Sequence, residues 1–147
     1  MSSFIKGSIR FSSEQVTFSV LQKKNLQNWV AETITNEGFV PEELNFTFCN
    51  DKHLHTINKK FLKHSTYTDI ITFDYSKDAQ QKIKGEIFIS IERVKENAKK
   101  FKSNFQDELH RVIIHGVLHL CEHDDTSPLL KKQMTKKEDY YLSLRDF

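Results

Sequence analysis

Two histidines and a dense polar cluster lie close together in the stretch RVIIHGVLHLCEHDD, residues 111–125. On an α-helix, positions four apart are separated by one turn and about 40°, so His115 and His119 project from the same face. Neutral imidazoles placed in this way are natural ligands for one metal ion. The same spacing also arises by chance, and each histidine then needs only an ordinary hydrogen-bond partner. The pair alone therefore marks a candidate metal site.

Two further features of the stretch favour metal binding. Gly116 lies in the middle of the predicted helix, where glycine costs about 1 kcal/mol relative to alanine, which indicates a close approach to the backbone. The helix must end soon after His119, because the polar cluster EHDD is followed by TSP, a start signal for another helix. A chain that turns back there can present a third ligand, for which the candidates are His123, Asp124 and Asp125. Three protein ligands with open coordination positions are what a catalytic metal needs.

The stretch differs from the H-E-x-x-H motif of zinc proteases. Gly116 occupies the position of their general-base glutamate, so peptide hydrolysis by that route lacks its base. The pattern therefore predicts a metal hydrolase whose water is activated mainly by the ion or by a group from elsewhere in the chain.

The segments around this stretch predict the elements that must position it. Period-two alternation predicts strands at 15–20 and 44–49, and β-rich runs at 68–75 and 85–90 predict a hairpin. Helical spacing of apolar residues predicts helices between the first two strands and after the second. Three further helices are expected to begin after the N-caps Ser90, Asn104 and Ser127. We therefore predict one α+β domain with a helical second half.

Length and composition restrict the class of protein. A chain of 147 residues is the usual size of one domain, and it contains no apolar run of the roughly 18–20 residues that a membrane helix needs. Its first residues resemble no secretion signal, so we expect a cytoplasmic protein. Cys49 and Cys121 are too few for a disulfide framework and are expected to be packed thiols. Trp29 and the twelve phenylalanines are expected in the core.

Charge gives little information about partners. The net charge is only +2, although lysines cluster at 95–102 and 131–137. Such runs are usually solvated helix faces, and phosphate binding is the alternative interpretation.

Several motifs, in their order and spacing, resemble the YbeY family of rRNA maturation factors. The pattern H-G-x-L-H-L is followed by a third ligand ten residues after the first histidine, at 115–125. INKKF (57–61), TYTDIITFDY (66–75) and GEIFIS (85–90) are similar to the family's L-N-x-x-Y, T-D-V-L-S-F and G-D-I-x-I-S segments. The resemblance implies a single domain over residues 1–147 with a zincin-like fold, in which a mixed four-stranded sheet packs against helices and a central helix binds the metal.

The resemblance also implies an activity. It predicts a metal-dependent, single-strand-specific endoribonuclease that acts in rRNA processing, at the 3′ end of 16S rRNA, and in ribosome quality control. The implied partners are single-stranded RNA, rRNA and the ribosome or its small subunit, with no membrane and no DNA. The alternatives are a small zincin-like metallopeptidase and a non-catalytic, ribosome-associated module that binds metal.

Carried over residue by residue, the family's ligands fall on His115, His119 and Asp125. The family usually has histidine at the third position, and Asp125 is preferred over His123 and Asp124 because only Asp125 is in register. We expect one divalent metal per chain, most simply zinc, at a site with net charge +1 instead of +2. Two histidines and a carboxylate also accept iron or manganese.

The chain departs from the family pattern in two places near the site. Glu122 and His123 replace a glycine and a tyrosine, so the turn that delivers the third ligand is expected to be built differently. Leu62 stands where an arginine is usual, which removes a phosphate contact or a group that orients water. Four nearby side chains are candidate substitutes: Lys59, Lys60, Lys63 and His64.

Asp69 is a further candidate in the strand motif. It is expected either to line the cleft beside the metal and hold a ligand histidine, or to cap the entry to the strand together with Thr68. RNA would lie between the His115 helix and the 68–75 strand, in a groove that admits single strands and excludes a duplex.

Overall fold

The positions of the strands and helices come from a computed structural model that describes residues 8–61, 68–76 and 81–147. Within these ranges the chain forms four strands, β1 (Ser8–Ser13), β2 (Val40–Cys49), β3 (Ile70–Asp74) and β4 (Lys82–Ser90). It also forms five helices, α1 (Lys23–Asn36), α2 (Asp51–Phe61), α3 (Ile91–Lys100), α4 (Phe105–Leu120) and α5 (Pro128–Ser143).

The strands form one mixed sheet in the order β1-β2-β4-β3. β2 is parallel to both β1 and β4, whereas β3 runs antiparallel to β4 and forms an edge of the sheet. α4 packs on β3 and β4, and α1, α3 and α5 pack on α4. This arrangement confirms the predicted α+β, zincin-like fold, in which the helix that carries both histidines lies at the centre.

The three helix N-caps predicted from the sequence are present in the structure. The side chains of Ser90, Asn104 and Ser127 each accept a hydrogen bond from a backbone N–H in the first turn of α3, α4 and α5, respectively. Such caps satisfy backbone donors that have no partner within the helix. The caps therefore fix the first residue of α4 and the first residue of α5, on either side of the turn that carries Asp125.

Gly116 lets α4 approach the sheet closely. A Cβ atom at this position would lie 2.7 Å from Cδ1 of Ile70 and 3.1 Å from Cδ1 of Ile87, both below ordinary contact distance. The expected close approach to the backbone is therefore present, and the approaching atoms are isoleucine side chains of β3 and β4. A side chain at position 116 would face the core and not the histidines.

The strand predicted at 15–20 is wrong, because the first strand is β1, at Ser8–Ser13. Gln15 has a φ of 66°, a left-handed conformation that interrupts an extended chain. Phe18 and Val20 still pack against the core from this segment. Their period-two spacing therefore reflects two contacts with the core, and the segment 15–20 does not pair with a strand.

The expectation for the aromatic residues holds only in part. Trp29, Phe46 and Phe48 are buried, whereas Phe61 and Phe101 are 59% and 61% exposed. Each exposed ring lies at the end of a helix, α2 or α3, where it borders solvent. The expectation that every phenylalanine is a core residue was therefore too broad.

The two cysteines are free and buried, as predicted. Burial raises the pKa of both thiols, Cys49 and Cys121, to about 12. Since the thiolate is the reactive form, both side chains act as packed apolar groups.

His110 is a neutral histidine in the core. Its ring centroid lies 5.7 Å from that of Trp29 and 5.5 Å from that of Phe147, and its Nδ1 lies 2.7 Å from Nη1 of Arg145. Burial, and then the charge of Arg145, lower the pKa of His110 from 6.5 to about 4. The folded protein therefore resists protonating this ring in a range where the unfolded chain accepts the proton.

This difference predicts a loss of stability in mild acid. Because the folded-state pKa lies below the unfolded value, the stabilisation is complete above pH 6.5 and is lost as the pH falls towards 4. Between pH 7 and pH 5, the free energy of unfolding of the unmodified chain should fall by about 1–2 kcal/mol more than that of His110→Gln. Urea unfolding at both pH values measures this, and equal losses in the two proteins would contradict the assignment.

Candidate metal centre

Three side chains bring ligand atoms together at the C-terminal end of α4. Nε2 of His115 lies 2.9 Å from Nε2 of His119, and Oδ2 of Asp125 lies 3.4 Å and 3.5 Å from these two nitrogens. The three side chains are between 24% and 32% exposed, so the group is open to solvent on one side. Among the described residues, this is the group of histidine, cysteine and acidic side chains that has the geometry to hold a metal ion.

The donor set fits a divalent metal. Ligands at 2.0–2.2 Å from a tetrahedral zinc ion lie roughly 3.3–3.6 Å from one another. Both distances from Asp125 agree with this spacing, and the distance between the histidines is shorter by a few tenths of an ångström. Two imidazoles and one carboxylate leave coordination positions for water and substrate, and they suit zinc as well as iron or manganese.

Both histidines are oriented through their second ring nitrogen. Nδ1 of His115 lies 2.5 Å from Oε2 of Glu138, and Nδ1 of His119 lies 2.9 Å from the backbone carbonyl of His123. Both partners are acceptors, so the proton belongs on Nδ1 and the lone pair of Nε2 points at the shared position. Metal-binding histidines are usually held in this way.

Glu138 is the residue at this site that sequence reasoning missed. It lies on α5 with its side chain only 8% exposed, and it also accepts a hydrogen bond from Nη1 of Arg111 at 2.9 Å. Burial alone would lower the pKa of His115, but the carboxylate of Glu138, helped by Asp125 and Asp69, raises it. A signal was present in the sequence, because Glu138 lies at helical spacing between two buried apolar residues, Met134 and Tyr141.

The turn after α4 delivers Asp125. The N–H groups of Glu122 and His123 donate to the carbonyls of His119 and Leu118 at 3.1 Å and 3.0 Å, and Glu122 has a φ of 71°. This is the Schellman ending of a helix, in which a left-handed residue reverses the chain. Glutamate therefore adopts here the conformation that glycine adopts most easily.

Glu122→Gly is accordingly expected to stabilise the protein. Glycine relieves the left-handed strain, which costs a non-glycine residue about 1–2 kcal/mol, although part of the gain is lost to the greater freedom of the unfolded chain. We expect a net gain of about 0.5–1 kcal/mol in the free energy of unfolding, measured by urea titration. Glu122→Ala is the control, since alanine keeps the strain, and an equal gain in that variant would contradict this explanation.

The structure separates the three candidates for the third ligand. The His123 side chain turns away and places Nε2 2.6 Å from Oε1 of Glu37. The carboxylate of Asp124 accepts from the N–H of Asp125 and from Oγ1 of Thr126. Of the three, Asp125 is the residue that the turn brings to the imidazoles.

A cleft of about 210 Å³ borders His115, and Asp69, Arg111 and Glu138 are among its other lining residues. Oδ2 of Asp69 accepts a hydrogen bond from Nδ2 of Asn97 at 3.3 Å, and burial raises the pKa of this carboxyl. Asp69 thus lines the same cleft as His115. The hydrogen bond that orients His115 comes from Glu138 instead.

The basic candidates of the preceding segment are only partly described. Lys59 and Lys60 lie exposed in the last turn of α2. Leu62, Lys63 and His64 lie outside the described residues. Within the parts of the chain that the structure describes, no helix is long and apolar enough to cross a membrane.

The mixed sheet, the central helix with two histidines and the carboxylate that returns from the next turn define a zincin-like α+β protein with a candidate metal centre. Comparison with known families agrees with this class. The chain belongs to the family described as "Endoribonuclease YbeY", whose model matches residues 8–145.

Individual relatives support this assignment along most of the chain. The proteins named "Endoribonuclease YbeY" from Cytophaga hutchinsonii and Amoebophilus asiaticus are 45% and 43% identical to it, over 95% and 93% of this chain and 96% and 92% of theirs. The solution structure of TM1509 from Thermotoga maritima superposes with a TM-score of 0.64 at 28% identity, over 92% of this chain and 87% of that one.

Proposed function

We propose that this chain is a metal-dependent endoribonuclease that cuts single-stranded RNA, with His115, His119 and Asp125 as the ligands of one divalent ion. Family membership supports the activity. The observation that carries the proposal is the convergence of Nε2 of both histidines and Oδ2 of Asp125 within 3.5 Å of one another, beside an open cleft. Zinc is the metal that we favour.

The ion would supply a Lewis acid that polarises a phosphoryl oxygen and lowers the pKa of water. The chain's own residues prepare the site for it. Glu138 and the His123 carbonyl accept from Nδ1 of the two histidines, so in the neutral imidazoles both Nε2 lone pairs point at one position. Arg111 lines the cleft, is held by Glu138 and Asp139 at 2.9 Å and 2.6 Å, and would be the guanidinium that contacts a phosphate of the backbone.

A single-stranded substrate fits the geometry better than a duplex. His115 borders a cleft of about 210 Å³, and unstacked nucleotides can enter such a space whereas a rigid duplex cannot. A peptidase mechanism lacks support, because position 116 faces Ile70 and Ile87 in the core and cannot supply a general base to the site.

The cellular role that we propose follows from the family. We propose that residues 1–147 form one endoribonuclease domain that works in the cytoplasm on rRNA, at the 3′ end of 16S rRNA, and in ribosome quality control, in contact with the small ribosomal subunit. The matched relatives are named endoribonucleases and align over nearly their whole length, which supports the activity on which this proposed role rests.

Cleavage of defined RNAs tests the activity. Purified full-length protein loaded with zinc should cut an unstructured RNA oligonucleotide, lose this activity on chelation and regain it when zinc is restored. The same sequence annealed to its complement should be cut at least about tenfold more slowly, because pairing keeps the bases stacked. A casein digest run in parallel separates a peptidase from a nuclease. Zinc-independent cleavage, or proteolysis without RNA cleavage, would overturn the proposal.

A further inference from the structure

Glu37 is a buried carboxylate that directly follows α1. It contacts His123, and His123 in turn contacts His119, one of the candidate metal ligands. The side chain of Glu37 is only 8% exposed. Oε1 lies 2.6 Å from Nε2 of His123, Oε2 lies 3.0 Å from Nζ of Lys137, and the hydroxyl of Tyr141 donates to Oε2. One carboxylate therefore ties the end of α1 to α5 and to the turn after α4.

The charge of Glu37 makes these contacts strong. Burial favours the neutral acid, but the hydrogen bonds from Tyr141, His123 and Lys137 together hold the pKa of Glu37 below its usual value. The carboxylate is thus ionised at neutral pH and surrounded by donors. Each charge-assisted hydrogen bond to a buried anion stabilises it, so the contact with Glu37 favours this position of the His123 side chain.

His123 connects Glu37 to the candidate metal centre. Its side chain contacts Glu37, its backbone carbonyl lies 2.9 Å from Nδ1 of His119, and its N–H donates to the carbonyl of Leu118 at 3.0 Å. It also precedes Asp125 by two residues. The residue that Glu37 holds therefore both orients one imidazole and sets the path of the chain to the carboxylate ligand.

We propose that Glu37 is a positioning residue for the metal centre: by holding the imidazole of His123, it fixes the turn at 122–125 and so orients His119 and places Asp125. This inference rests on the proposed metal site, but not on RNA cleavage. It assigns a role in metal binding to a residue 78 positions before the first ligand, as counted from Glu37 to His115.

Zinc affinity of the full chain, measured by competition with a chromophoric chelator, tests the proposal. Glu37→Gln keeps the size of the side chain and removes the charge that strengthens its contact with His123, and His123→Gln replaces the imidazole on the other side of the same contact. Each should lower zinc affinity about tenfold, the lower end of the effect seen when groups that orient metal ligands are lost. The double variant should be no weaker than either single variant, because both changes act on one contact.

A second measurement separates positioning from general stability. With cobalt in place of zinc, the visible absorption bands of both variants should shift, because the coordination geometry changes. Asp51→Asn is the matched control: it removes a carboxylate of α2, a helix that carries no candidate ligand, and this carboxylate pairs with Arg93 at 2.7 Å. It should lower the melting temperature and leave zinc affinity and the cobalt spectrum unchanged.

Three results would overturn the inference: unchanged affinity and spectrum in Glu37→Gln, a double variant whose loss is the product of the single losses, or an equal loss of affinity in Asp51→Asn. If Glu37→Gln does not fold, His123→Gln decides alone, since its side chain is 31% exposed and tolerates replacement. Zinc binding by the unmodified chain is measured first, and its absence would refute the metal site itself and this inference with it.

Discussion

His115→Ala, His119→Ala and Asp125→Ala will each reduce zinc affinity and RNA cleavage by more than about 100-fold. Loss of a group that only holds a metal ligand in place typically lowers affinity about 10- to 100-fold, so loss of the ligand itself should exceed this range. Each variant leaves two donors, which is too few for the three-ligand site that a catalytic metal requires. Binding and cleavage should fall together, because the ion supplies the chemistry.

Metal content after dialysis and the initial rate of RNA cleavage measure this effect. The matched control is His53→Ala, which removes a half-buried histidine of α2 that pairs with Glu14 at 3.1 Å. That variant should keep zinc and activity. A ligand variant that retains both properties would show that the site is elsewhere, whereas a variant that retains zinc and loses cleavage would assign that side chain a different role.

Glu138→Ala should lower zinc affinity about 10- to 100-fold although Glu138 is not a ligand. Without its carboxylate, Nδ1 of His115 loses the acceptor at 2.5 Å that fixes the ring and its proton, and Nη1 of Arg111 loses a partner at 2.9 Å. The neighbouring Asp139 provides the matched control, because it pairs with Nη2 of the same arginine at 2.6 Å and has no contact with the histidine.

Chelator competition on Glu138→Ala and Asp139→Ala distinguishes the two effects. Asp139→Ala should stay within about threefold of the unmodified chain, since its pair with Arg111 is largely exposed. Equal losses in both variants would mean that Arg111, and not the hydrogen bond to His115, transmits the effect. No loss in Glu138→Ala would refute the orienting role.

Local signals predicted much of the fold and the ligand set. The caps at Ser90, Asn104 and Ser127 depend on a few neighbouring residues, so the sequence contains them in full. The pairing of His115 with His119 follows from helical spacing in the same way. Asp125 could be preferred over His123 only through its register in a known family.

Long-range contacts explain what the sequence could not predict. Glu138 follows His115 by 23 positions, and Glu37 precedes His123 by 86, so neither contact has a local pattern. The false strand at 15–20 has the opposite cause: its alternation is real, but Gln15 adopts a left-handed conformation that local spacing does not reveal. A contact between residues far apart in the sequence decides the first two cases, and the backbone conformation of one residue decides the third.

The most direct test of the account is the position of the ion in crystals of the zinc-loaded full chain, located by anomalous scattering at the zinc edge. The account predicts one peak at about 2.0–2.2 Å from Nε2 of His115, Nε2 of His119 and a carboxylate oxygen of Asp125. A peak coordinated by His123 or Asp124 in place of Asp125, or a peak away from α4, would contradict it.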